Sequence, residues 1–168
     1  MRIPVRTANR TVEARGLVGL APEEAQVSQL DRILVGGRWL KPRDRLALML
    51  PERLAQQLGI DSTRSDGQKV HLWGMTFEVV GVFSTAKFQD LTDLDGETMT
   101  PVTFPREASA VMAGEEEQQL ESGDDVREFQ SRYQHVNADL TLMMPYQTVM
   151  AAGGPLKSIA VKIQDDAS

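Results

Sequence analysis

Hydrophobic positions along this chain fall in short, regularly spaced runs. Residues 11–20 alternate, with Val12, Ala14, Gly16 and Val18 on one side, which is the period of a half-buried strand. Residues 22–30 predict a short helix, with Pro22 near its first turn and Glu23 and Glu24 where the helix dipole favours acidic side chains. Ile33-Leu34-Val35 is an apolar run, followed by Gly36-Gly37 and then Arg38-Trp39-Leu40. Residues 47–50 predict a short strand. Pro51 opens a second helix, whose Leu54 and Leu58 share one face, and Gly59 follows where a left-handed cap is expected.

Two strand-like runs, residues 69–73 and 76–83, flank Gly74-Met75 and predict a β-hairpin. In the second run Phe77, Val79, Gly81 and Phe83 fall on one face and Val80 and Val82 on the other, so both faces are expected to be covered. Residues 86–137 then read as a long polar excursion, punctuated by Gly96, Pro101, Pro105, Gly114 and Gly123. Residues 115–120 and 124–136 carry helical patterns within it, the second placing Val126, Phe129 and Tyr133 on one face. A strand over 139–144, a helix over 145–151, a break at Gly153-Gly154 and a closing strand over 156–163 complete the chain. The pattern predicts an α+β fold, a β-rich mixed sheet with short helices and a long polar insertion.

Composition narrows the function classes. The 168 residues suit one domain or two small lobes, and the formal net charge of -6 argues against a nucleic-acid or anionic-membrane partner. The chain has no cysteine, so disulfides, thiolate metal sites and a cysteine nucleophile are excluded together. Aromatic residues are only 5%, leaving Leu, Val, Ile and Met to fill the core. No apolar run is long enough to span a bilayer, and Met1-Arg2-Ile3-Pro4 does not open a signal peptide. That suits a cytosolic protein or a domain cut from a longer chain. The second is favoured by the way Gln164-Asp165-Asp166 follows the last strand, like a truncated helix start.

Candidate chemistry is sparse. His71 and His135 are the only histidines and lack the spacing that aims two imidazoles at one metal. Asp90, Asp93, Asp95 and Glu97 cluster before and after Gly96, but an EF-hand loop counted back from that glycine has Leu91 at its first ligand and Val102 in place of the bidentate Glu. A solvated acidic loop is the plainer reading, and Glu115-Glu116-Glu117 reads as a helix N-terminal charge run. Gly36-Gly37-Arg38 lacks the Gly-Lys-Ser/Thr of a P-loop, and no serine sits in a nucleophile elbow. Met49, Met143 and Met144 read as core filler. The residues predict no catalytic, cofactor or metal site.

The order of the segments carries a resemblance. Val35-Gly36-Gly37-Arg38-Trp39-Leu40 resembles the hydrophobic-x-G-R-aromatic-hydrophobic segment of the periplasmic domains of MacB/FtsX-type ABC transporter permeases. Residues 47–51 with 54–59 resemble that family's strand and short helix. Gly67 to Gly74 followed by Phe77 to Phe83 is similar to its G-x-x-(V/I)-x-(V/I)-x-G hairpin. Leu142-Met143-Met144-Pro145-Tyr146-Gln147-Thr148 is similar to its strand-P-(Y/F)-x-T segment, with residues 156–163 as the strand after it. The match covers residues 35–83 and 139–163, is loose over 1–34, and departs over 86–137, where many members have a shorter connection.

The resemblance implies a non-catalytic extracytoplasmic domain, over residues 1–168, at the periplasmic face of the bacterial inner membrane. Full chains of the family carry one transmembrane helix before the domain and three after it. They pair as two permease copies, engage a cytoplasmic ATPase, and act on an adaptor, a lipoprotein or an exported substrate. The domain is typically two-lobed, and residues 86–137 would be a variable insertion in it. Two other classes stay open on the residues alone. One is a periplasmic ligand- or protein-binding module. The other is a hydrolase, which would need a carboxylate pair or metal among Asp90, Asp93, Asp95 and Glu97.

Overall fold

The computed structural model describes residues 2–64, 67–92, 96–103 and 134–153. The strands are β1 (Ile3–Arg6), β2 (Thr11–Ala14), β3 (Gly16–Leu20), β4 (Leu34–Gly37), β5 (Ala47–Pro51), β6 (Gln68–Leu72), β7 (Met75–Phe83), β8 (Val102–Thr103), β9 (Gln134–His135) and β10 (Thr141–Pro145). Among the described residues four α-helices are interspersed: α1 (Glu24–Ser28), α2 (Glu52–Leu58), α3 (Thr85–Gln89) and α4 (Tyr146–Ala151). Eight strands form one mixed sheet in the order β2-β1-β6-β7-β5-β10-β3, with β4 also on β7. β8 and β9 form a separate antiparallel pair.

β7 is the spine of the sheet. β6 and β4 lie antiparallel to its N- and C-terminal halves, and β5 runs parallel to it. Among the described residues the sheet path ends in β2 and β3, which are consecutive in the chain with only Arg15 between them. The sheet is therefore curled so that its two ends are halves of one bent strand. At the bend the Arg15 N–H leaves the ladder and donates to the Leu140 carbonyl at 2.8 Å. The expected single strand over 11–20 is thus split, and its alternation breaks: Val12 and Leu17 pack against one core, Val18 against the other.

β5 and β10 are buried at every position, as apolar runs without alternation require. On one face Leu48, Leu50, Leu142 and Met144 join Ile3, Val5, Val70, Phe77 and Val79 beneath Leu54, Ala55 and Leu58 of α2. On the other, Ala47, Met49 and Met143 meet Leu30, Ile33, Leu40, Phe83 and Phe88. The expected faces of β7 are corrected by a β-bulge. Leu48 pairs with Val79 but Met49 with Gly81, so Val80 is an extra residue. Beyond it the parity inverts, placing Val82 in the core with Phe77 and Val79, and Phe83 with Val80 in the second core.

Other boundaries move by local causes. The helix expected over 22–30 shortens to α1, because Gln29 turns left-handed at φ 57° and a 3₁₀ turn, Leu30–Ile33, follows. The apolar run at 33–35 is divided, Ile33 ending the 3₁₀ turn and Leu34 opening β4. The strand expected over 139–144 is preceded by the 3₁₀ turn Ala138–Leu140 and becomes β10. The hairpin turns at Trp73-Gly74, not Gly74-Met75, since Leu72 pairs with Met75. α2 ends at Gly59, at φ 73°, as expected. The strand β1 was not anticipated. The predicted helices over 115–120 and 124–136 and the strand over 156–163 lie outside the described residues, apart from the last positions of the second, where Gln134 and His135 form β9.

The polar excursion is narrower than its sequence suggests. Phe88 of α3 is 1% exposed and meets Phe83 edge-on at 5.5 Å between ring centroids. Thr100 and Val136 are also buried. Both ends of 86–137 therefore belong to the packed body.

Candidate functional site

The described residues that sequence reasoning flagged for chemistry do not converge. His71 sits on the exposed side of β6, opposite Arg6 of β1 and Thr76 of β7, with its Nδ1 3.0 Å from the Thr76 hydroxyl. His135 sits in β9, in the other sheet. Asp90 caps the C-terminus of α3 and Glu97 is exposed, while Asp93 and Asp95 lie outside the described residues. Among the described residues no group of three His, Asp or Glu side chains is placed to hold a metal ion. Met49, Met143 and Met144 are fully buried, as core filler must be.

The polar residues that do meet are partners the sequence did not suggest. His135 Nδ1 lies 3.1 Å from the Thr98 hydroxyl, 3.2 Å from the Thr100 hydroxyl and 3.3 Å from the Thr100 carbonyl. The Val136 N–H donates to the Pro101 carbonyl at 2.7 Å alongside the β8–β9 pair. These contacts clamp the two ends of the excursion together. They also line a shallow groove of about 220 Å³ with Gln89 and Asn137. Among the described residues its polar side chains are the Thr98 and Thr100 hydroxyls, the Gln89 and Asn137 amides and the His135 imidazole.

Gly36-Gly37-Arg38 is a structural joint. A β-carbon on Gly36 would fall 1.7 Å from the Ser62 carbonyl oxygen, so only glycine lets β4 lie against the 3₁₀ turn Ser62–Arg64. Arg38 forks onto Asp44, with Nη1 and Nη2 donating to the two carboxylate oxygens at 2.7 and 3.2 Å. The Lys41 N–H donates to the same carboxylate at 2.8 Å. Burial pushes the Asp44 carboxyl up, but the hydrogen bonds from Arg38 and Lys41 and their charges outweigh it and hold it below its ordinary value. Trp39 Nε1–H donates to the Pro22 carbonyl at 2.9 Å, tying this loop to the start of α1. Arg53 of α2 pairs with Asp139, joining that helix to the turn before β10. The Gly-Arg-aromatic segment is thus legible as a motif, and its work is architectural.

One exposed feature departs from ordinary backbone preference. Both central residues of the β6–β7 loop have positive φ, 53° at Trp73 and 72° at Gly74, the pattern of a type I′ turn. Trp73 is 39% exposed and Met75 40%. The indole leans edge-on against Phe77 at 6.4 Å.

No family model and no curated protein matches the sequence. In structure the chain is similar to the periplasmic region of MacB from Actinobacillus actinomycetemcomitans, with a TM-score of 0.51 and 18% identity. That likeness covers 100% of this chain and 56% of the other. It is also similar to the extracellular domain of the noncanonic ABC-type transporter YknZ from Gram-positive bacteria, at a TM-score of 0.46 and 15% identity over 92% of this chain and 55% of that one. The chain thus spans just over half the length of each. Among the described residues no helix is long and apolar enough to cross a membrane. The mixed eight-stranded sheet with its few short helices is the fold of a MacB-like periplasmic domain.

Proposed function

We propose that this chain is the extracytoplasmic domain of an ABC transporter permease and works mechanically rather than by catalysis. It would couple ATP-driven movement of transmembrane helices in the same protein to export or to the handling of a lipoprotein or adaptor. A second permease copy and a cytoplasmic ATPase would be its partners in the full assembly. The observation that carries this reading is the likeness to the MacB periplasmic region along the whole chain. The packing agrees with it. Coupling needs a body that moves as a unit, and the central strands β5 and β10 are enclosed on both faces. The part of 86–137 between β8 and β9 is where we place contacts particular to this transporter.

The test is the coding sequence on either side of these residues. One hydrophobic helix upstream and three downstream, beside an ATPase gene, is the expected result. A stop codon directly after Ser168 with no hydrophobic segment at either end would overturn the reading and leave a ligand- or protein-binding module in its place.

A further inference from the structure

We draw no further inference here: the strongest candidate, the exposed apolar tip of the β6–β7 hairpin at Trp73 and Met75, is a surface patch without a partner among the described residues, and nothing in the structure shows what covers it.

Discussion

Replacing Gly36 with alanine tests the tightest of the glycine contacts among the described residues. The added β-carbon would stand 1.7 Å from the Ser62 carbonyl oxygen and 2.6 Å from its carbonyl carbon. Relief requires one backbone segment to retreat by about 1 Å or more, because the obstacle is a peptide group rather than the end of a side chain. Neither segment is free to do so. β4 is held in the ladder of β7, and Ile60, 7% exposed, anchors the chain just ahead of the 3₁₀ turn. The Asp61 carboxylate grips that turn, accepting from the Thr63 N–H at 2.9 Å and the Thr63 hydroxyl at 2.7 Å.

Overpacking of this kind costs about 3 kcal/mol at the upper end. Alanine offsets part of that, about 0.4–1 kcal/mol, by stiffening the unfolded chain. The net expectation is a loss of about 2 kcal/mol, or about 4–8 °C in Tm for a chain of this size. Thermal unfolding followed by circular dichroism, with urea titration as a second measure, reads both. Val35→Ala, at a neighbouring position 44% exposed, is the control and should stay within about 0.5 kcal/mol of wild type. If Gly36→Ala is equally silent, the contact between β4 and the Ser62 turn is wrong.

Three further outcomes follow from the same packing. Asp44→Asn should cost about 1–2 kcal/mol near pH 7 by removing a charge-assisted fork. Because the folded carboxyl lies below its unfolded value, that stabilisation is present above the unfolded value of 3.8 and fades as pH falls through the folded one; urea titrations from pH 7 to pH 3 should show wild type and variant converging. Trp73→Asn should leave stability within about 1 kcal/mol of wild type, since relief of left-handed strain offsets the lost edge contact with Phe77; a loss of about 3 kcal/mol in chemical denaturation would refute that balance. Replacing residues 104–133 with Asn-Gly should preserve the fold, because Thr103 and Gln134 are already paired; removal of the whole of 86–137 should instead unfold the domain by taking Phe88 and Val136 from the core, and the two unfolding curves together decide the point.

Legibility followed the range of the interaction that fixes each element. α2 was readable because its opening proline, its Leu54–Leu58 face and its Gly59 cap lie within nine residues. β5 and β10 were readable because strands covered on both faces need no alternation. β1 was not, since Pro4 argues against a ladder. The fold tolerates it at a position where β6 does not reach: on that edge β6 pairs with β1 only at Arg6. The bulge at Val80 was equally hidden. An extra residue in one strand is defined only against its partner, and the register between β5 and β7 is set by the tertiary fold.

The same limit governs the site. The Thr98–Thr100–His135 contacts join positions 35 and 37 residues apart, so no local spacing could announce them. The Asp44 fork was nearer, six residues from Arg38, yet it forms only because the loop turns over residues 41–44, where the Asp44 N–H donates to the Lys41 carbonyl. The family resemblance reached further than the physics, because it read weak segments in order where no single segment was decisive; the last of the five, residues 156–163, lies outside the described residues. The structure explains why that order held information. Val35 to Leu40, residues 47–51, the hairpin and β10 all contribute to one sheet, in which β7 pairs with β4, β5 and β6, and β10 pairs with β5. A sequence that kept the segments and lost their order would keep the local patterns and lose the curled sheet.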